Sequence, residues 1–129
     1  MNFRLLHRPV VIALLLSLLG SALNVTPAGA ASFSVSNATE LVNAINTANA
    51  NGAADTITLT SNITLIAVNN ITTGENGLPV IQPDGGNALT IDGNGYTLAR
   101  SSAVGIPNFR FIEVANGANL TLQNITLFN

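Results

Sequence analysis

The chain contains no cysteine, no tryptophan and no lysine among its 129 residues. Without cysteine there can be no disulfide, no thiolate metal ligand and no lipid attached to a cysteine after processing. The only bases are Arg4, Arg8, Arg100 and Arg110, and the only histidine is His7. Nucleic-acid binders need clustered bases to neutralise phosphates, so that class of partner is excluded. Zinc chemistry and Ser-His catalysis need His or Cys, which the chain beyond its leader lacks. Charged residues make up only 8% of the sequence.

What is present begins with an export pattern. Residues 1–9 carry Arg4 and Arg8 and no acid, residues 10–19 are almost wholly apolar, and Ala28-Gly29-Ala30 follows. Charged, apolar and small-residue regions in that order predict a secretory signal over residues 1–30, cleaved after Ala30. The apolar run is too short for a comfortable membrane span, which needs about 20 residues. No Arg-Arg pair suggests the twin-arginine route. The remainder, residues 31–129, has two arginines against Glu40, Asp55, Glu75, Asp84, Asp92 and Glu113. It is weakly acidic, and no membrane span is expected after cleavage.

Residues 37–50 are predicted to form a helix. Asn37 suits the N-cap, with Glu40 three residues on as the partner of a capping box. Leu41, Ala44, Ile45 and Ala48 share one face, Asn43, Asn46 and Thr47 the other, and Gly52 is a plausible stop. So short a helix needs something to cover.

Strand-like repeats follow. Thr56-Ile57-Thr58-Leu59, Leu89-Thr90-Ile91 and Leu120-Thr121-Leu122 alternate apolar residues with Thr. Aligned on Ile57, Leu89 and Leu120, they recur 32 and 31 residues apart. Each leads through a polar corner to a second run: Ile63-Thr64-Leu65, Tyr96-Thr97-Leu98 and Ile125-Thr126-Leu127. Repeats of this length suggest a solenoid. Asn at the corners tolerates left-handed backbone, and its side chain can bond to backbone or stack on the Asn of the next coil. Leu78-Pro79-Val80-Ile81 reads as an edge or a strand start. Residues 109–114 read as a strand with a bend near Phe111 that keeps Arg110 and Glu113 outside. Residues 68–77 and 101–108 read as loops.

This pattern resembles the exported right-handed parallel β-helix proteins of the pectin-lyase-like superfamily. The residues that carry the resemblance are Asp55-Thr56-Ile57-Thr58-Leu59, Ala67-Val68-Asn69-Asn70, Gly77-Leu78-Pro79-Val80-Ile81, Leu89-Thr90-Ile91-Asp92-Gly93-Asn94-Gly95 and Arg100-Ser101-Ser102. The resemblance implies an all-β solenoid, with the helix as an N-terminal cap over the first coil. It also implies that further coils lie downstream of residues 31–129 and that this end is incomplete.

Candidate chemistry is sparse. Glycoside hydrolysis needs two carboxyls flanking one bond, and nothing in the sequence brings any two of Asp55, Asp84 and Asp92 together. Arg100 or Arg110 could serve as a lyase base only with carboxylates from absent coils. Asp84-Gly85-Gly86-Asn87 and Asp92-Gly93-Asn94-Gly95 read as tight turns rather than calcium loops, which need six to eight ligands. Arg100-Ser101-Ser102 reads as a solvated strand end, or as bonded to a neighbouring loop carbonyl, rather than as a ligand site. Asn62-Ile63-Thr64 and Asn124-Ile125-Thr126 match glycosylation acceptors but coincide with the corner repeat. No catalytic, cofactor-binding or metal-ligating residue is assigned. The expected role is structural or adhesive, in a secreted or cell-surface protein whose partner is a polysaccharide or cell-surface ligand. The alternative is the front of a polysaccharide lyase or glycoside hydrolase with its catalytic coils downstream.

Overall fold

A computed structural model describes residues 29–129. The leader segment expected over residues 1–30 falls outside the described residues but for its last two. The elements in chain order are β1 (Ser32–Val35), α1 (Ala38–Ala48), β2 (Asp55–Leu59), β3 (Ile63–Leu65), a single 3-10 turn (Asp84–Gly86), β4 (Ala88–Asp92), β5 (Thr97–Arg100), β6 (Asn119–Gln123) and β7 (Thr126–Phe128). They build two parallel sheets, one ordered β1-β2-β4-β6 and one ordered β3-β5-β7.

The helix follows its sequence signals closely. Asn37 is the N-cap, and its side-chain oxygen accepts the Glu40 N–H at 3.0 Å. The return arm of the box differs from the expected one. The Glu40 carboxylate reaches one residue further back and accepts the Ser36 N–H at 2.7 Å and the Ser36 hydroxyl at 3.0 Å. The helix ends at Asn49, before Gly52, because the Asn49 side chain ties the chain to the 80–82 segment. Its Nδ2 donates to the Val80 carbonyl, and its Oδ1 accepts the Gln82 N–H. Leu41, Ala44, Ile45 and Ala48 are buried as their spacing requires, and α1 packs against β1, β2 and β3.

Alternation organises the strands. In β2 the side chains of Asp55, Ile57 and Leu59 are buried, while Thr56 and Thr58 are half-exposed. Ile63, Leu65, Leu78, Ile81, Leu89, Ile91, Leu98 and Phe109 join them in one core. The parity of the repeats is as expected, and so is the pairing of Leu89 with Leu120, but the first repeat is shifted by two against the second. Ile57 pairs with Ile91 rather than Leu89, and Ile91 with Leu122. In the second sheet Ile63 pairs with Leu98 rather than Tyr96. The cause is Asp55. It occupies the inward slot that pairs with Leu89, so matching apolar residue to apolar residue slides the alignment along the strand.

The all-β right-handed parallel β-helix expected above is not what forms. The architecture is mixed α/β: two small parallel sheets carrying one helix, with no closed solenoid among the described residues. A third wall would be needed for closure, and there the backbone makes only isolated bridges, Asn76 with Arg110 and Ile81 with Val114. The reasons are local. Pro79 and Pro83 lack the N–H a ladder needs, and the 3-10 turn carries Gly85 at φ 67°. The chain bends at Phe111, between the two bridges. Residues 109–114 are therefore not the strand expected of them, although the bend lies where it was expected. β1 is an addition: its Ser-Phe-Ser-Val alternation pairs with β2 from Ser32–Thr56 to Val35–Leu59.

Candidate functional site

Two features carry the site: a set of carboxylates bound to the chain's own donors, and an apolar surface at the β6–β7 end.

The carboxylates are structural clamps. Asp55, only 3% exposed, accepts the Ala31 N–H at 2.7 Å and the Asn51 amide at 2.7 Å. Asp84 accepts the Gly52 N–H at 3.0 Å. Asp55 and Asp84 thus both bond the 51–52 turn. Asp92 lies at a different corner. It accepts the Asn94 N–H and the side-chain amides of Gln123 and Asn124. Its turn is tight as expected, with Asn94 at φ 49° and Gly95 at φ 84°. Each of these aspartates is thus engaged by donors of the chain itself.

The 69–77 loop and residues 110–113 make a polar cluster. Glu113 accepts from the Thr73 hydroxyl, from Asn76 Nδ2 at 2.8 Å and from Arg110 at 3.3 Å. The Asn76 amide nitrogen also points at the Asn70 Oδ1 and the Gly74 carbonyl, each at 3.0 Å. Asn76 is fully buried, and its Oδ1 has no hydrogen-bond partner. Turning the amide over would set that oxygen against three acceptors, so the orientation is dictated by its surroundings. Arg110 is exposed as expected, but Glu113 keeps only 15% of its side chain exposed. The cluster joins residues up to 40 positions apart through loops without periodicity, and no sequence signal could have found it.

The remaining expected residues are engaged structurally. Arg100 donates to the Pro107 carbonyl at 3.2 Å and to Asn129, and stacks over Phe109 at 5.8 Å from the ring centre. The loop-carbonyl reading of Arg100 fits that arrangement. Ser101 Oγ accepts the Ala103 N–H. At the two glycosylation-like triplets, Asn62 Oδ1 accepts the Thr97 N–H, and Asn124 donates to Asp92. Among the described residues, no three His, Cys, Asp or Glu side chains gather as a metal site would require. No helix among them is long and apolar enough to cross a membrane.

Three acids are held below their ordinary values by hydrogen bonds. Glu40 is lowered from 4.5 chiefly by the Ser36 N–H, and Asp92 from 3.8 chiefly by the Asn94 N–H, then by Gln123 and Asn124. Glu113 is lowered from 4.5 chiefly by the Thr73 hydroxyl, with Asn76 and Arg110 adding to it and desolvation opposing it. Each depressed acid binds its proton more readily in the unfolded chain than in the folded one. Its contribution is fully present above the unfolded value and is lost as pH falls through the folded value. The melting temperature is therefore expected to be flat between about pH 5 and pH 7 and to fall as pH drops through 4.5 and below. In the double variant Asp92→Asn, Glu113→Gln, calorimetry across this range should give a shallower fall. An equal slope in variant and wild type would contradict the assignment.

The apolar surface lies where the two sheets end. Phe109, Phe111, Ile112, Leu120, Leu122 and Leu127 help line an open concavity of about 560 Å³. Leu122, Leu127 and Phe128 are 38%, 44% and 64% exposed. β6 and β7 are the last strands of their sheets, so one edge of each lacks a strand partner among the described residues. No protein-family model, no curated protein and no solved structure matches this chain. The superfamily resemblance therefore brings no activity with it.

Proposed function

We propose that the chain is a structural module of an exported protein, secreted or held at the cell surface, that catalyses nothing itself and extends by adding strands at β6 and β7. One observation carries the reading: the two ends of the sheets are finished differently. At the β1 end α1 lies over β1, β2 and β3, with Leu41 and Ile45 wholly buried. At the other end Leu122, Leu127 and Phe128 are left in contact with solvent beside unpaired strand edges. Such an edge is a template for another strand.

The pairing chemistry says what fits there. β4 meets β6 through Leu89–Leu120, Thr90–Thr121 and Ile91–Leu122. The apolar-Thr-apolar pattern is thus complementary to itself, and a second copy of the chain supplies a matching edge. The sparse charge supports the same reading, because stacked like charges would repel. The carboxylates that an enzyme would aim at substrate are instead occupied by backbone and amide donors.

Sedimentation velocity of the purified exported chain tests this. Association that grows with concentration is expected. The double variant Leu122→Asp, Phe128→Asp should weaken it at least about tenfold, since charge on an apolar interface costs well over 1.4 kcal/mol. A wild-type chain that stays monomeric up to the highest soluble concentration would overturn the reading.

A further inference from the structure

We propose that cleavage after Ala30 converts an amide-to-carboxylate hydrogen bond into a partly buried ion pair, in which the new α-ammonium of Ala31 docks on the Asp55 carboxylate and locks β1 onto β2. The inference rests on the export signal read from the sequence and adds a binding site for the amine that export creates.

The geometry is already in place. The Ala31 nitrogen lies 2.7 Å from Asp55 Oδ1. The Ala31 carbonyl accepts the Thr56 N–H at 3.0 Å, which fixes the residue beside the start of β2. Asn51 Nδ2 holds the second Asp55 oxygen at 2.7 Å, and Asn51 is itself held by the Ala53 N–H on its Oδ1 at 3.0 Å. Gly29 and Ala30 are exposed, so the bond to be cut is accessible.

The chemistry of the slot asks for a cation. Asp55 is buried, and its partner positions in the next two strands are Leu89 and Leu120. A carboxylate in an apolar ladder position is costly unless it is paired. No lysine exists to pair it. Arg110 is taken up by Glu113, and Arg100 by Asn129 and Pro107. While the leader is attached, the donors to Asp55 among the described residues are the neutral Ala31 N–H and the Asn51 amide. Hydrolysis of the Ala30–Ala31 peptide bond by water yields the Ala30 carboxylate and the Ala31 amine, which is protonated at neutral pH. The same nitrogen then carries a full positive charge, which adds a Coulombic attraction to a hydrogen bond whose acceptor was already ionised. The processed chain is thus the more stable form.

The absence of lysine makes the test clean, because the α-amine is the only amine for an acylating reagent to modify. The exported protein is purified and its first residue sequenced. Its unfolding by urea is then compared with and without acetylation of that amine, in wild type and in Asp55→Asn. Acetylation is expected to raise the unfolding constant about tenfold in wild type, equivalent to ~1.4 kcal/mol. In Asp55→Asn the change should be less than about twofold. If Asp55→Asn does not fold, the rate of acylation decides: the folded wild-type amine should react at least about tenfold more slowly than the same amine in urea. A mature chain that does not begin at Ala31 would overturn the proposal. So would equal effects of acetylation in both proteins, or an amine that reacts equally fast folded and unfolded.

Discussion

Replacing Leu41 by Asp is expected to unfold the helix-covered end and leave no stable protein at room temperature. Leu41 is wholly buried in α1 and belongs to the same core as Ile57 and Ile63. Truncation to Ala would remove contacts and leave a cavity, at a cost of about 3 kcal/mol. Asp adds a charge with nothing to pair it, or a proton uptake that neutralises it, which brings the total to at least about 5 kcal/mol. Domains of this size carry about 5–15 kcal/mol in all. Amide exchange reads the result directly: protection across β2 and β3 should be lost in Leu41→Asp and reduced but present in Leu41→Ala. Unchanged protection of Asp55–Leu59 and Ile63–Leu65 would mean that the helix does not hold this end together.

The second large effect is expected at Gly93. Its N–H donates to the Gln123 carbonyl at 2.8 Å, so its backbone runs directly against the next corner. A Cβ there would fall 2.5 Å from both the Asn124 carbonyl oxygen and the Ile125 Cα, and closer still to the Ile125 Cβ. Those are backbone and branched-chain atoms that cannot swing aside. Gly93→Ala should therefore cost about 3 kcal/mol, at the upper end of overpacking effects. For a domain of this size that corresponds to a melting shift of about 15 °C. Gly95, two residues on, gives the contrast. It needs positive φ (84°), but a Cβ there meets nothing within 4 Å. Gly95→Ala should cost about 1 kcal/mol, from backbone strain alone. Thermal melts of the two variants rank them, and a larger loss at Gly95 would refute the close approach at Gly93.

Much of the local structure was legible in the residues. The α1 cap and buried face, the alternation of Thr with Ile and Leu, and the left-handed corner at Asn94 each follow from short-range physics. What failed was long-range. The three-fold apolar-Thr-apolar pattern predicted an all-β solenoid, yet Pro79, Pro83 and the bend at Phe111 leave one side as isolated bridges. The burial of Asp55 was not foreseen, because carboxylates seldom occupy inward strand positions. Its burial follows only once Ala31 and Asn51 are seen to bond it, and the same oversight misplaced the first repeat by two against the second. The Asn70–Thr73–Asn76–Glu113 cluster has no periodicity at all and needed coordinates to appear. β1 was visible as Ser-Phe-Ser-Val alternation, but four residues beside a helix cap are too short to weigh on their own.

The proposed role depends on a difference between the two ends of the sheets. Amide hydrogen exchange of the exported chain, followed from dilute to concentrated solution, measures that difference directly. The outward-facing amides of β6 and β7 are expected to exchange quickly when dilute and to become protected as concentration rises, while those of α1 stay unchanged. Protection that arises instead at α1 or β1, or no change at any position, would contradict the account.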